Sequence, residues 1–322
     1  MIEPRRGRLE IETIEDVRNL VDTGSAASCI PLSLRMPKGN VLYSAVGDVF
    51  HRVGRLTADY RARTGIRNLN KNRILLDMKL SPEPTLFSFR SGKEVLAGDV
   101  YTSMSADTSD YSNRGATSFA TICVSTDFLL KVAGEDALRH EVGFWERRRW
   151  FSPSAPMRAA ITRRVGHTAS RLSPTVTGPA LRQLQSDLLE PYLWTMLFGQ
   201  LKADRRSLVS RAAIVRKVEN WVDGQSLETI HVHDLCTALR VPRRTLQRAF
   251  FETLGIGPSR YLALKRLTAA RTELRQGDPS ATRVTDVATK YGFWDLGRFA
   301  RDYRAVFGER PSLTLSKGHA RP

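Results

Sequence analysis

The hydrophobic positions of the N-terminal half follow the short alternating pattern of β-strands. Five segments between Cys29 and Ser125 are rich in β-branched and aromatic residues and are bounded by Gly, Pro, Asn or Ser: VLYSAVGDVFHRV, RILLDMKL, TLFSFRSG, KEVLAGDVYTSM and TSFATICVS. Strands separated by such turn residues are typical of a small antiparallel barrel or sandwich. The segment DYSNRG, at 110–115, has two interpretations: Asp, Ser, Asn and Gly favour a loop between strands, whereas the Asp-x-Ser spacing would place both side chains on one face of a strand.

The pattern turns helical after Asp127, and its longest apolar stripe lies at 180–201. Leu184 and Leu188 fall on one face of this amphipathic segment, and Pro191 is expected to kink the helix or to begin it. Two interpretations of this apolar face remain: it packs within its own domain, or it contacts a second copy of the chain. The polar segment KADRRS that follows is a candidate linker. These features divide the chain into residues 1–180, 181–206 and 207–322.

The C-terminal third repeats one plan of two short helices joined by a tight turn. HVHDLCTALRVPRRTLQRAFFETLG, at 231–255, has this pattern, and VTDVATKYGFWDLGRFARDYRAVFG, at 284–308, has it again. In each unit the second helix buries two positions, Leu246 with Phe250 and Phe299 with Tyr303. PSRYLALKRLTAARTELRQ, at 258–276, predicts one continuous helix about 28 Å long between the units. The plan predicts two helix-turn-helix units.

The charge is large and uneven, because 22 Lys and Arg stand against 11 Asp and Glu from Arg205 to the end, within a net charge of +17. A basic surface concentrated in one part of the chain indicates a polyanionic partner. No apolar run approaches the ~20 residues that span a bilayer, so we expect no membrane insertion. The N-terminus has no apolar segment of a signal peptide, and the three scattered cysteines suggest reduced thiols, so a cytoplasmic location is expected.

The predicted helical units suit double-stranded DNA, whose successive major-groove faces lie ~34–36 Å apart. Arginine matches guanine O6 and N7, and Gln matches adenine. The candidate DNA-binding residues are Arg243, Arg244, Thr245, Gln247, Arg248, Arg298 and Arg301.

YGFWDLGRFARDYRAVFGERPS and LGIGPSRYLALKRL closely resemble the two motifs of the AraC/XylS family of bacterial transcription regulators. The resemblance covers about residues 210–315. It implies an all-α DNA-binding domain, an activator that contacts RNA polymerase, a homodimer, and an N-terminal barrel that senses a small ligand. Asp295 replaces the usual Ser before the second reading helix and is expected to cap it equally well. Leu296 and Gly297 stand at positions that are often polar readers in the family, so the resemblance implies that the second helix reads bases weakly.

The AGDV stretch resembles cupin-like sensor domains, so the expected fold is α+β: an N-terminal cupin-like β-barrel followed by the all-α domain. A metal-dependent cupin enzyme is the alternative of another class, and it would need several His ligands. Residues 1–180 hold only His51, His140 and His167, without a His-x-His pair. We therefore predict no metal, no cofactor, no catalytic residue and no enzyme activity.

Two short motifs suggest the effector. Arg63 and Arg67, in RTGIR, followed by Asp110, Ser112 and Gly115, in DYSNRG, resemble the cyclic di-GMP signature of PilZ domains. Two arginines can pair with two phosphates or with guanine edges, and a carboxylate can accept from guanine. RTGIR lies in a polar stretch that is expected to form an arginine loop over the ligand. Cyclic di-GMP is the predicted effector, and a sugar or another small metabolite is the alternative.

Overall fold

The protein is described here from a computed structural model, which describes residues 2–21, 28–47, 49–65, 72–80, 87–90, 93–104, 108–133, 149–170, 178–201, 206–228 and 230–318. The strands of the described residues are β1 (Ile2–Ile11), β2 (Ser28–Pro31), β3 (Lys38–Gly47), β4 (Val49–Thr57), β5 (Tyr60–Gly65), β6 (Arg73–Lys79), β7 (Phe87–Arg90), β8 (Lys93–Glu94), β9 (Val100–Met104), β10 (Thr108–Arg114), β11 (Ala116–Ser125), β12 (Arg149–Ser152) and β13 (Gln200–Leu201).

The helices of the described residues are α1 (Ile14–Val21), α2 (Thr126–Ala133), α3 (Ala155–Ser170), α4 (Gly178–Phe198), α5 (Arg206–Asp223), α6 (Val232–Leu239), α7 (Arg243–Leu254), α8 (Pro258–Gln276), α9 (Val284–Lys290), α10 (Leu296–Phe307) and α11 (Pro311–Gly318). We call residues 2–201 the sheet domain and residues 206–318 the helical domain. The fold is therefore mixed, with a sheet-rich N-terminal part and a helical C-terminal part. None of the helices in the described ranges combines the length and apolar character that a bilayer crossing requires.

The sheet domain is built from two antiparallel sheets. The larger has the order β1-β3-β4-β11-β6-β9-β12-β13, and the smaller has the order β2-β5-β10-β7-β8. Among the described strands the two sheets do not close into one barrel, so the cupin-like part of the expected fold stays a prediction. VLYSAVGDVFHRV was expected to be one strand, but it forms the hairpin of β3 and β4, which pair from Lys38 with Thr57 to Val46 with Val49.

The loop interpretation of DYSNRG was wrong. Residues Asp110 to Arg114 belong to β10, which lies inside the smaller sheet between β5 and β7. Arg63 likewise lies on β5 rather than on a loop. Strand propensity depends on context, and pairing on both sides of β10 supplies the ladder bonds that polar turn formers would otherwise lack.

Two large apolar cores form among the described residues. One joins the larger sheet to α3 and α4, where Leu76, Ile122 and Tyr192 are fully buried. The other runs from the smaller sheet into the helical domain, so that Ala62 of β5 and Phe250 of α7 belong to a single apolar cluster. The shared cluster fixes the helical domain against the outer face of β5 and β10, as the contacts of these strands show below.

Candidate functional site

The first helix-turn-helix unit is formed by α6 and α7. Leu235, Leu246 and Phe250 are fully buried where the two helices meet. The opposite face of α7 is exposed and carries Arg243, Arg244, Thr245, Gln247 and Arg248, followed on the next turn by Phe251, which is 66% exposed. Because buried and exposed positions alternate at helical spacing, all five predicted side chains of this unit share the solvent face.

The second unit is formed by α9 and α10. Asp295 is the N-cap of α10, and its side chain accepts a hydrogen bond of 2.9 Å from the backbone N–H of Arg298. Phe299 and Tyr303 are buried against α9 and α11, whereas Arg298 and Arg301 are exposed. The exchange of the usual Ser for Asp therefore leaves the cap intact, as the sequence predicted.

Helix α8 joins the two units as one continuous element of 19 residues, in agreement with the sequence prediction. Tyr261, Leu264 and Leu267 are buried along it, and its rise makes it about 28 Å long. Pro258 occupies the first turn, where its missing N–H costs nothing. The spacing of the two outer helices is thus set by a buried, uninterrupted helix.

Strand β10 has one face on the helical domain and the other toward the space between the sheets. Ser112 Oγ donates a hydrogen bond of 3.1 Å to the carbonyl of Thr253, and Arg114 donates one of 2.7 Å to the carbonyl of Gly255. Tyr111 and Asn113 point the other way, toward a cavity described below. This alternation follows from the two-residue period of a strand.

Asp110 is the centre of a buried ionic cluster between the domains. Arg216 of α5 contacts its Oδ2 through Nε at 3.0 Å and Nη2 at 2.8 Å. Arg61 of β5 forms a two-bond pair with Glu219 of α5, at 2.9 and 2.8 Å, and its Nη2 lies 3.7 Å from Asp110 Oδ1. Burial would lower the pKa of Arg61, but the carboxylates of Glu219 and Asp110 outweigh it and raise that pKa above its ordinary value.

The predicted effector residues are only partly brought together. Arg63 and Asp110 are directly opposite in the β5–β10 register, with Arg63 Nε 3.9 Å from Asp110 Oδ1, and Arg63 also donates to Asn220 of α5. Gly115 has a φ of 92°, and its N–H donates to the Asp59 carboxylate at 2.8 Å, which ends the strand. Arg67 lies outside the described residues.

A cavity of about 130 Å³ lies between the two sheets of the sheet domain. The guanidinium of Arg90 lies 3.9 Å from the ring centre of Tyr101 and 4.3 Å from that of Tyr111, and it pairs with Asp77. Burial opposes the charge on Arg90, yet Asp77 outweighs it and raises the pKa of Arg90. A cavity of this size matches the ~150 Å³ that encloses a benzene ring, and two guanine bases with their riboses exceed it.

Several polar atoms of this cavity have no partner among the described residues: Arg52 Nε, Arg90 Nε, Tyr101 Oη and Asn113 Oδ1. Buried polar atoms are nearly always hydrogen-bonded, so unpartnered donors and an acceptor around one space mark a place for a polar occupant. In the ranges that the structure describes, no group of three or more His, Cys, Asp and Glu side chains is placed to hold a metal ion.

Sequence reasoning missed Arg61, Glu219 and Arg216, which surround Asp110. The signal for Arg61 was present, because it stands two residues before Arg63 and a strand places both on one face. Arg216 and Glu219 lie on α5, 106 residues from Asp110 and 158 residues from Arg61 respectively. Nothing in the local sequence of α5 indicates that contact.

Comparison with known proteins finds relatives for the C-terminal part of the chain. Residues 235–317 match the helix-turn-helix domain family. A probable thc operon regulatory protein of Rhodococcus erythropolis is 34% identical over 102 residues, which are 32% of this chain and 31% of that protein. The XylDLEGF operon transcriptional activator 2 of Pseudomonas putida is 31% identical over 112 residues, 35% of this chain and 71% of that protein.

A further relative, the XylDLEGF operon transcriptional activator 3 of Pseudomonas putida, is 25% identical over 153 residues. The chain covers less than half the length of this protein and of the Rhodococcus protein, 46% and 31% respectively. Among solved structures, the crystal structure of the AraC-like transcriptional activator CuxR overlaps 84% of this chain and 96% of its own, with 11% identity and a TM-score of 0.44.

Proposed function

Since the chain belongs to the AraC/XylS family of transcription regulators, we propose that it is a DNA-binding transcriptional activator that uses α7 and α10 as its two reading helices. The observation that carries this proposal is the pair of outer helices, each with exposed arginines on its outer face, spaced by the buried helix α8. Arginines on such a face can neutralise phosphates and donate two hydrogen bonds to guanine O6 and N7. The activating role follows the names of the relatives, and RNA polymerase remains a predicted partner.

The DNA-binding test compares duplexes selected by the wild-type protein from a random pool with unselected duplexes. Arg248→Ala, which removes an exposed guanidinium from α7, is expected to weaken binding to the selected site more than to unselected DNA. Arg8→Ala removes an equally exposed guanidinium from the sheet domain and is the control. Equal losses on both kinds of duplex would make Arg248 a phosphate contact, and absence of binding to any duplex would refute the function.

Cyclic di-GMP is the proposed effector, with Arg63, Arg67, Asp110, Ser112 and Gly115 as its site. The register that sets Arg63 opposite Asp110 supports it. Asp110 and Ser112 already contact α5 and α7, so a dinucleotide that reached them would displace the helical domain from β10. The effector and the helical domain then compete for the same side chains. Binding of the effector releases the helical domain from β10 and so changes the positions that the reading helices can adopt on DNA.

Calorimetric titration tests this effector. The wild-type protein is expected to release heat with micromolar cyclic di-GMP, and Arg63→Ala and Asp110→Ala to weaken the binding. Cyclic di-AMP is the control ligand, because it lacks the guanine O6 that an arginine addresses. No heat with wild-type protein, or undiminished binding in both variants, would refute the assignment.

A second candidate effector is a small polar metabolite in the cavity between the sheets, the alternative that the sequence left open. The unpartnered atoms of Arg52, Arg90, Tyr101 and Asn113 favour it. Because β10 carries Asn113 on the cavity side and Ser112 on the helical-domain side, an occupant would act on the helical domain through this one strand. Thermal denaturation with monosaccharides and monocyclic acids tests it. Tyr101→Phe should reduce any increase in Tm, and no increase with any compound would refute it.

A homodimer through the α4 region remains part of the proposal, with a narrower surface than expected. Leu184 and Leu188 are buried within the sheet domain, whereas Trp194 and Phe198 are 41% and 70% exposed one helical turn apart. Among the described side chains of α4, these two are the large hydrophobic ones that are exposed to a second copy. Sedimentation of the Phe198→Ala variant tests the contact, and an unchanged monomer–dimer equilibrium would remove α4 from the interface.

A further inference from the structure

The exposed faces of the two proposed reading helices differ in chemistry. On α7 the exposed positions carry hydrogen-bonding side chains in succession, from Arg243 to Arg248 with Leu246 buried. On α10 the exposed positions of the first turns are Leu296, Gly297, Arg298, Ala300 and Arg301, so an apolar stripe of Leu296, Gly297 and Ala300 lies beside the two arginines. The start of the second reading helix therefore offers apolar surface next to a guanidinium, where the first helix carries donors at every exposed position from Arg243 to Arg248.

Trp294 enlarges this apolar surface. It precedes the N-cap of α10 and is 80% exposed, the largest exposure among the large hydrophobic residues that the structure describes, and Leu296 is 41% exposed beside it. The neighbouring aromatic side chains are less exposed to solvent, because Phe299 is buried and Phe293 is only partly exposed. An indole and a leucine side chain left in water at this one end of α10 indicate a surface that covers them.

Gly297 gives a second, independent observation. A Cβ built at this position would meet only Asp295 Oδ1 at 3.5 Å, which is ordinary contact, and its φ lies outside the left-handed region. Neither packing nor backbone conformation within the chain requires glycine in this first helical turn. Glycine also serves where a backbone must come close to a ligand. The absent side chain thus lies on the exposed face, next to Leu296.

We propose that Trp294 and Leu296 read the 5-methyl groups of thymine in the major groove, and that Gly297 lets the start of α10 approach the bases closely. Exposed Arg298 and Arg301 supply charge complementary to the phosphates on either side. The thymine methyl is the apolar feature of the major groove, and it distinguishes T·A from the other pairs without a hydrogen bond. This inference rests on the proposed DNA-binding function. It assigns hydrogen-bond readout to α7 and methyl readout to α10.

The test uses two duplexes of about 30 base pairs, long enough for both units. One is alternating dA–dT, and the other is alternating dA–dU, which lacks the methyl groups and keeps every hydrogen-bonding group. The wild-type protein is expected to bind dA–dT more tightly, by about fourfold for each methyl group taken out of water, which corresponds to ~0.8 kcal/mol per buried CH₂. The double variant Trp294→Ala with Leu296→Ala gives the ratio that arises from the duplexes alone.

Leu96→Ala is the matched control, since Leu96 lies in the sheet domain and is exposed to the same 41% as Leu296. It should keep the wild-type ratio. An equal affinity of the wild-type protein for the two duplexes would overturn the proposal, as would a double variant whose ratio equals that of the wild type. Either result leaves DNA binding itself in place, whereas absence of binding to both duplexes and to selected DNA would refute the proposed function as well.

The variant Gly297→Ala tests whether Gly297 allows the backbone of α10 to approach the bases or instead serves the fold of the protein. Alanine favours the helix, so Tm is expected to stay or rise. Affinity for the dA–dT duplex should fall by about fivefold or more, which corresponds to the ~1–3 kcal/mol that an added methyl costs in a close-packed contact. A fall in Tm with unchanged affinity would show that Gly297 serves the fold and would overturn its part in the proposal. A protein partner on the same surface would leave both DNA affinities unchanged in all these variants, and that outcome overturns the proposal too.

Discussion

Replacement of Glu219 by alanine should destabilise the contact between the two domains, because it leaves the buried guanidinium of Arg61 without its main partner. The side chains of Arg61 and Glu219 are 5% and 6% exposed, and two hydrogen bonds of 2.9 and 2.8 Å join them. Removal of one member of a buried ion pair costs about 3–5 kcal/mol. Asp110, 3.7 Å from Arg61, offsets part of that cost, so we expect a loss of about 3 kcal/mol in the free energy of unfolding.

Urea denaturation followed by circular dichroism measures this loss. Asp223→Ala on the same helix is the matched control, because Asp223 is 49% exposed and its pair with Lys265 should be worth at most about 1 kcal/mol. The double variant Arg61→Met with Glu219→Leu removes both charges together and should recover most of the loss, since apolar replacements of a buried pair are often neutral.

A loss of unfolding free energy in Glu219→Ala that is no larger than the loss in Asp223→Ala would refute the role of the Arg61–Glu219 pair. Arg61 would then be solvated in solution, and the helical domain would not rest on β5 as described. A loss in Glu219→Ala that persists unchanged in the double variant would also contradict it. In that case the cost would come from packing around α5 rather than from an unpaired guanidinium.

Three further predictions concern single side chains. Burial lowers the pKa of His51 to about 3 from 6.5, so this residue has no pH-dependent cost above pH 6.5. Between pH 6.5 and about 3, protonation of His51 in the unfolded chain should lower the free energy of unfolding by up to about 1.4 kcal/mol per pH unit. His51→Gln should flatten this fall in urea midpoints, and an unchanged slope would contradict it. Asp295→Ala should cost about 1 kcal/mol in thermal denaturation while Asp295→Ser stays near wild type; equal Tm values for both would argue against the cap. Ser112→Ala, which removes the bond to the Thr253 carbonyl, should cost about 1 kcal/mol of unfolding free energy, and no change would mean that water replaces it.

The helical domain was the part that the sequence determined. The buried positions Leu246, Phe250, Phe299 and Tyr303, the 19-residue helix α8 and the cap at Asp295 were all predicted. Helical periodicity, capping and short turns depend on residues three or four apart, so local sequence contains them. The motif resemblance also lies within this domain, and the match at 235–317 agrees with it.

The arrangement of the sheet domain was decided by tertiary structure. DYSNRG has the composition of a turn, yet β10 is a strand because β5 and β7 pair with it on both sides. Which face of β10 carries Asp110 and Ser112 depends on that register, and a shift of one residue would exchange Ser112 with Tyr111. The helical domain then covers this face through Arg216 and other residues more than a hundred positions away. Local sequence has no information on pairing at that distance, so the motif could be seen in the sequence but its burial could not.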